Sequence, residues 1–128
     1  MKLFHLSDLH IGKRVHEFSM IEDQKYMLTQ ILQAVMRGKP DGVLISGDVY
    51  DRTIPTAEAV QVLDAFLTSL SEQEVPVFII SGNHDSAERL AFGSNLMGKS
   101  GIYLSKVYDG RIEKFALQDA YGTVWIHL

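Results

Sequence analysis

The stretch GVLISGDVYD, residues 42–51, joins a short apolar run to an abruptly polar end. Its first half is a near-continuous apolar segment, which is typical of a strand buried on both faces of a parallel sheet. Its second half places two carboxylates, Asp48 and Asp51, directly after that strand. In open α/β sheets, ligands bind beyond the carboxyl ends of the strands. The stretch therefore predicts both the kind of sheet and the edge at which a site would lie.

Two other stretches repeat this arrangement of a buried strand followed by polar residues. Residues 2–7 lead into SDLH at 7–10, and residues 75–81 lead into GNHD at 82–85. Because the carboxyl ends of parallel strands meet at one edge of a sheet, we expect the three polar clusters to lie close together.

Amphipathic helices are predicted between these strands. The first follows a capping-box signature at 19–22 and ends at Gly38. The second covers about 55–72, and a third, shorter helix starts at Asp85 or Ser86. Alternation of strands and helices indicates an α/β fold with a mainly parallel sheet.

The last third of the chain has a different pattern. Strands are predicted at 102–104, 111–117 and 123–128, and a turn at Asp109-Gly110 suggests an antiparallel or mixed part of the sheet. Nothing in the sequence covers the last apolar strand, so we expect residues 1–128 to be the N-terminal part of a longer domain.

The composition narrows the class of protein. The 128 residues are 46% hydrophobic, which is enough for one core, and there is no Cys, which excludes thiolate chemistry and disulfides. No apolar run is long enough for a membrane span and the N-terminus does not resemble a signal peptide, so we expect a cytoplasmic protein without a membrane partner. The net charge of −4 does not by itself indicate a nucleic-acid partner, although bound cations would offset clustered carboxylates.

The polar clusters together supply the donors of a metal site. Oxygen and imidazole donors suit Mn²⁺, Fe²⁺, Zn²⁺ or Mg²⁺, and a carboxylate shared by two ions is a common basis for phosphoester hydrolysis. Each cluster alone is typical of a capped loop or a turn, but three clusters at successive strand ends favour a metal site. The candidate residues are Asp8, His10, Asp48, Asn83 and His84.

The motifs D-x-H, G-D-x-x-D and G-N-H-D, in this order, resemble those of the calcineurin-like metallophosphoesterases. Within this family, HLSDLHIGKR, SGDVYDRTIPTAEA and ISGNHDSAERL are similar to the SbcD-type nucleases of double-strand-break repair. The resemblance spans residues 2 to about 105. It implies a layered αββα metallophosphoesterase fold, truncated at the C-terminus, and a nuclease that hydrolyses DNA at ends and hairpins. It also implies two divalent ions, with Mn²⁺ expected first, and an SbcC-type ATPase as partner.

The resemblance assigns roles to individual residues. Asp8 and His10 would bind the first ion, Asp48 would bridge both ions, and Asn83 would bind the second. His84 would face the scissile phosphate and stabilise the transition state or protonate the leaving 3′ oxygen. The family supplies three further histidine ligands from later motifs that this chain does not match. We therefore expect an under-liganded second site and poor or absent activity of this chain alone.

Neighbouring side chains have two interpretations each. Asp51 either orients His10 or a water, or accepts a hydrogen bond from Arg52. Asp85 either supports the site or only caps the third helix. His5 is expected to be a buried core histidine, with a supporting contact near the site as the alternative. Four cationic side chains are either phosphate contacts or parts of a solvated surface: Lys13, Arg14, His16 and Arg52.

The predicted helices also raise the question of a dimer. Val62 and Phe66 lie outside the main apolar stripe of the second helix, which usually indicates a wider buried surface. In the family, the corresponding helices form a two-fold interface, so the resemblance alternatively makes Val62, Phe66, Leu90 and Met97 dimer contacts. Two other functions are compatible with the motifs: hydrolysis of a smaller phosphoester, and a catalytically silent scaffold.

Overall fold

The structure, a computed structural model, describes all residues from 1 to 128. Strands and helices alternate through the first hundred residues, and a β-hairpin ends the chain. In chain order, the elements are β1 (Leu3–Leu6), β2 (Arg14–Val15), β3 (Phe18–Ser19), α1 (Ile21–Gly38), β4 (Gly42–Ser46), α2 (Ala57–Glu72), β5 (Val77–Ile80), α3 (Ala87–Leu90), α4 (Ser94–Met97), a 3₁₀ turn (Gly98–Ser100), β6 (Ile102–Leu104), β7 (Lys114–Asp119) and β8 (Gly122–His127). None of the helices is long and apolar enough to cross a bilayer.

Four strands form the central sheet in the order β1-β4-β5-β6, and every neighbouring pair is parallel. The two middle strands carry the most buried side chains, since Val43, Ile45, Val77 and Ile79 are at most 1% exposed. Each connection between neighbouring strands contains helix, as a parallel pair requires. The predicted α/β fold with a parallel sheet is confirmed.

Helices α1 and α2 pack against each other as well as against the sheet. Val62 and Phe66 of α2 are only 8% and 2% exposed and, with Leu28 and Leu32 of α1, line the groove between the two helices. A helix with two packing partners needs a wider apolar face than a single stripe. Of the two interpretations of these side chains, the wider buried surface is therefore the one observed.

The other two proposed dimer contacts also face inward. Leu90 is buried at 7% exposure and Met97 is half-buried against the core. Val62, Phe66 and Leu90 are therefore corrected from dimer contacts to core residues, because burial within one chain leaves little of each side chain for a partner. Other apolar side chains of this region are exposed instead, namely those of Val60, Phe92 and Leu96.

The start of α1 differs from the predicted capping box. The helix begins at Ile21 after Met20, whose side chain makes no capping bond, and the Ser19 hydroxyl accepts only a long bond from the Ile21 amide, at 3.4 Å. Ser19 instead pairs with Arg14 in the small β2-β3 hairpin. Glu22 bonds Lys25, 2.7 Å away, rather than a backbone amide. Pairing within this short hairpin thus takes the place of the predicted capping box.

The C-terminal third also differs from its prediction. Strand β6 pairs in parallel with β5 and completes the central sheet, because α3 and α4 provide a crossover. Strands β7 and β8 form a separate antiparallel hairpin. The ring of Phe115 in β7 lies against Phe78 and Tyr103, at centroid distances of 5.8 and 4.4 Å. The hairpin therefore packs on the sheet face opposite the two long helices.

Candidate metal centre

Backbone pairing continues past the ends of β1 and β4 into the first two polar clusters. The amide of His10 donates to the carbonyl of Asp48 at 2.9 Å, and the amide of Ile11 donates to Val49 at 2.9 Å. The amide of Asp51 returns a bond to the carbonyl of Ile11 at 3.1 Å. The two loops are thus held side by side like an extension of the sheet. This pairing brings the predicted ligands of both loops to one place.

Three of the predicted ligands have left-handed backbone conformations. The φ angles of Asp8, His10 and Asp48 are 55°, 43° and 48°. Non-glycine residues rarely adopt this region, and each such residue costs of the order of 1 kcal/mol or more. Strain of this kind concentrates at functional sites, where the surrounding contacts hold it in place. Three of the six non-glycine residues with positive φ are thus predicted metal ligands, and the other three are His16, Lys39 and Glu74.

The third loop contacts the second through a glycine. A Cβ built on Gly82 would lie 2.2 Å from both the backbone nitrogen and the Oδ1 atom of Asp48. The amide of His84 donates to that same Oδ1 at 2.9 Å. Only a residue without a side chain lets the loops approach this closely. No role was predicted for Gly82 from the sequence, although a glycine before Asn-His at a strand end is the signal that marks it.

Asp85 joins the second and third loops through three backbone amides. Its Oδ1 accepts from Tyr50 at 2.8 Å, and its Oδ2 accepts from Val49 at 3.0 Å and from Gly82 at 2.8 Å. The helix cap is provided by Ser86, whose Oγ accepts from the Arg89 amide. Asp85 therefore holds the second and third loops together, and the alternative in which it only caps the third helix is wrong. Its charge also contributes, after desolvation, to raising the pKa of Tyr50 to about 12.

Asp85→Asn should lower the free energy of unfolding by about 2 to 4 kcal/mol, because hydrogen bonds to a charged acceptor are strong and an amide offers only one oxygen. At least one backbone N–H would then face the NH₂ group. Urea unfolding measures the change. Asp109→Asn is the matched control, since Asp109 accepts one exposed amide bond, from Arg111, and a change of about 0.5 kcal/mol or less is expected there. Equal midpoints for the two variants would show that Asp85 does not hold the loops together.

The side chains at the junction of the three loops have the spacing of a ligand set. The Nε2 atom of His10 lies 3.8 Å from Asp48 Oδ2 and 3.9 Å from Asp8 Oδ1. One donor atom each from His10, Asp48 and His84 lie within 4.8 Å of one another. Two ligands that are each about 2.1 Å from one ion lie roughly 3 to 4 Å apart. The residues present therefore fit a divalent cation.

His10 Nδ1 gives a second indication of the same site. This buried nitrogen has no hydrogen-bond partner, and Asp51 Oδ1 lies 3.5 Å away. Metal-binding histidines usually donate their other N–H to a carboxylate, which orients the ring. The geometry favours the interpretation in which Asp51 orients His10 over the one in which it bonds Arg52.

The ring of His84 faces the same junction. Its Nδ1 lies 3.0 Å from the carbonyl oxygen of Asp51, and its ring centroid is 4.9 Å from that of His10. Since a carbonyl only accepts, Nδ1 must carry the proton, and Nε2 is directed elsewhere. The Asp51 carbonyl raises the pKa of His84, and the carboxylates of Asp48, Asp51 and Asp85 add to this. The distances place His84 close to both His10 and Asp48. They are therefore compatible with His84 as a metal ligand and with His84 as a proton donor.

The comparison with known proteins agrees with this geometry. The family model described as calcineurin-like phosphoesterase matches residues 1–127. The chain belongs to the calcineurin-like phosphoesterase family. Members of this family use divalent metals, in keeping with the cluster of His10, Asp48 and His84.

Two curated relatives place the chain more closely within the calcineurin-like phosphoesterases. It is 39% identical over 105 residues to the SbcD subunit of the SbcCD nuclease from Staphylococcus saprophyticus. It is 40% identical over 105 residues to the protein of the same name from Staphylococcus epidermidis. Each match covers 81% of this chain and 28% of the relative. The chain therefore aligns with less than a third of the length of these relatives.

The remaining candidate residues lie in the third loop, on the central sheet and on the exposed surface. Asn83 is exposed in the third loop, between Gly82 and His84. His5 is exposed, not buried, because it lies on the sheet face opposite the long helices, where its Nε2 meets Ser46 Oγ at 2.8 Å. The four cationic candidates are exposed, with Lys13, Arg14 and His16 in and beside the β2-β3 hairpin and Arg52 after the second loop.

Proposed function

We propose that this chain forms the metal-binding part of a nuclease that hydrolyses DNA phosphodiesters with two divalent ions, Mn²⁺ first among them. The observation that carries the proposal is the convergence of His10, Asp48 and His84 at the junction of three strand-end loops. The similarity to two proteins named as nuclease subunits supports DNA as the substrate.

The proposed ligand set follows the loops. Asp8, His10 and Asp48 hold the first ion, and Asp48 and Asn83 contribute to the second. Bound divalent ions would lower the pKa of a water and neutralise charge on the phosphate. Asp51, 3.5 Å from His10 Nδ1, keeps the Nε2 atom of His10 directed at the first site.

His84 is the proposed proton donor to the leaving 3′ oxygen. Because its Nδ1 donates to the carbonyl of Asp51, the ring is held with Nε2 free to meet a substrate oxygen. Proton donation requires the charged ring, which carries a proton on Nε2 as well as on Nδ1. A cation at this position also offsets negative charge that develops on the phosphate in the transition state.

The proposal extends to partners and location. The name of the relatives refers to an SbcCD complex, which supports an SbcC-type ATPase as partner of the protein in the cytoplasm. A homodimer through the helical region is part of the same proposal. Its apolar contacts would be the exposed Val60, Phe92 and Leu96, because Val62, Phe66 and Leu90 are buried in the chain.

The proposal is tested by metal titration followed by a cleavage assay. Calorimetry of the metal-free chain should show one Mn²⁺ equivalent bound and a second bound more weakly. At high protein concentration, a labelled DNA hairpin should be cleaved slowly and only with Mn²⁺. His84→Gln should abolish cleavage and keep Mn²⁺ bound, whereas the control His127→Gln, an exposed strand residue, should leave both unchanged.

Each alternative has its own signature in this experiment. Faster hydrolysis of a cyclic nucleotide than of DNA would indicate a phosphoesterase for small esters. Mn²⁺ binding without cleavage of any ester, both by this chain and by a longer chain that includes the later histidine motifs, would favour a silent scaffold. No binding of Mn²⁺ would contradict the proposal as a whole.

A further inference from the structure

Gln24 is the buried polar side chain of this fold, at 8% exposure, and it points from α1 at the first metal loop. Its Nε2 donates to the carbonyls of Leu9 at 3.1 Å and of His10 at 2.7 Å. Its Oε1 accepts from the amide of Gly12 at 2.9 Å. A single side chain on a long helix thus bonds three backbone groups of the loop that carries Asp8 and His10.

These three groups are the ones that the neighbouring loop does not reach. The second loop bonds the amides of His10 and Ile11 and the carbonyl of Ile11. The carbonyl of Leu9 and the amide of Gly12 have no other backbone partner. Buried backbone groups without partners are costly, so the turn at residues 9–12 depends on Gln24 to complete its hydrogen bonds.

The orientation of the Gln24 amide is fixed by these partners. Two carbonyls require N–H donors and one amide requires an acceptor, which only one assignment of oxygen and nitrogen satisfies. Leucine matches the size of the side chain without its polar atoms. Glutamate keeps the acceptor for Gly12 but sets oxygen against the two carbonyls. The roles of the side chain are therefore separable by substitution.

We propose that Gln24 is a positioning residue of the metal centre, which holds the backbone of residues 9–12 so that His10 Nε2 is aimed at the ion. The inference rests on the proposed function, since it concerns the first metal site of that nuclease. The left-handed conformation of His10, with φ 43°, needs such support, because a free loop would relax to a commoner conformation. Loss of outer partners of metal-binding histidines typically weakens metal binding about 10- to 100-fold.

The test compares Mn²⁺ binding and stability in matched variants of α1. Gln24→Leu should raise the Mn²⁺ dissociation constant about tenfold at a temperature where the variant is folded. Gln33→Leu makes the same change at an exposed position of the same helix and should leave the constant unchanged. Urea unfolding of each metal-free variant is measured alongside. Paramagnetic broadening of the His10 ring signals by Mn²⁺ reports the ring position directly, and it should weaken in Gln24→Leu only.

The outcomes separate positioning from a purely structural role. A lower unfolding midpoint for Gln24→Leu with an unchanged dissociation constant and unchanged broadening would overturn the inference and leave the proposed function intact. If Gln24→Leu does not fold, Gln24→Glu decides in the same way: weaker Mn²⁺ binding supports the inference, and equal binding overturns it. Failure of the unsubstituted chain to bind Mn²⁺ would overturn the inference together with the proposed function.

Discussion

Gly82→Ala is expected to destabilise the protein by about 3 kcal/mol and to weaken Mn²⁺ binding in any molecules that fold, because overpacking of a tight contact is costly. The added Cβ would meet the backbone nitrogen and the Oδ1 atom of Asp48 at 2.2 Å, a distance at which atoms must move. The Gly82 loop cannot withdraw freely, because its amide is bonded to Asp85. The Asp48 carboxylate would have to shift instead. Urea unfolding and Mn²⁺ calorimetry measure the two effects.

Gly98→Ala is the control for this substitution. Gly98 has a φ of −57°, and no atom lies within 4 Å of the Cβ position. At such a site alanine is expected to be neutral or to stabilise by up to about 1 kcal/mol, because it restricts the unfolded chain. If Gly82→Ala behaved like Gly98→Ala, the close contact between the second and third loops would be refuted.

Asp48→Asn is expected to weaken Mn²⁺ binding at least about 100-fold without destabilising the metal-free protein. Loss of a residue that only supports a metal ligand weakens binding by up to roughly this amount, and Asp48 is itself a proposed ligand. Asparagine is the appropriate replacement because Asp48 has a φ of 48°, a conformation that asparagine tolerates better than alanine. Its side-chain oxygen can still accept the His84 amide. The negative charge is lost, which removes the proposed bridge between the ions.

The metal-free Asp48→Asn variant is not expected to lose stability. Asp48 lies among other carboxylates, those of Asp8, Asp51 and Asp85, so removal of one negative charge relieves repulsion. The free energy of unfolding of metal-free Asp48→Asn should therefore be equal to or above that of the parent. Asp109→Asn, in an exposed turn, controls for the change in net charge. Unchanged Mn²⁺ affinity in Asp48→Asn would place the metal elsewhere.

The sequence predicted the structure best where the local interactions of a segment and its burial favour the same strand or helix. The strand predicted at 42–46 has the observed bounds. A short apolar run between turn residues such as Gly and Asp is compatible with few structures other than a buried strand. Thr56 and Ser86 cap α2 and α3 with their side chains, near the predicted starts of those helices. In each case the deciding interaction lies within a few residues of the chain.

The sequence-based predictions that the structure corrects have other physical causes. Ser19 is not the N-cap residue of α1, because it pairs with Arg14 in a hairpin. His5 is exposed, because it lies on the face of β1 away from the helices. The inward orientation of Val62 and Phe66 depends on where α1 packs. The outcomes for His5, Val62 and Phe66 depend on packing partners distant in sequence, which a pattern of neighbouring residues does not contain. The outcome for Ser19 depends on a short local hairpin, residues 14–19, that the sequence pattern does not predict.

For the centre itself, the sequence alone determined which strand-end loops meet and at which edge of the sheet, because strand-end motifs are local and parallel strands end at one edge. Only the tertiary structure decided how the loops are held. The bonds of Asp85 to the Val49 and Tyr50 amides, the contact of Gly82 with Asp48 and the bonds of Gln24 to residues 9–12 join different segments of the chain. They form only when the packed sheet brings the loops within hydrogen-bond distance, and no residue type at one position specifies them.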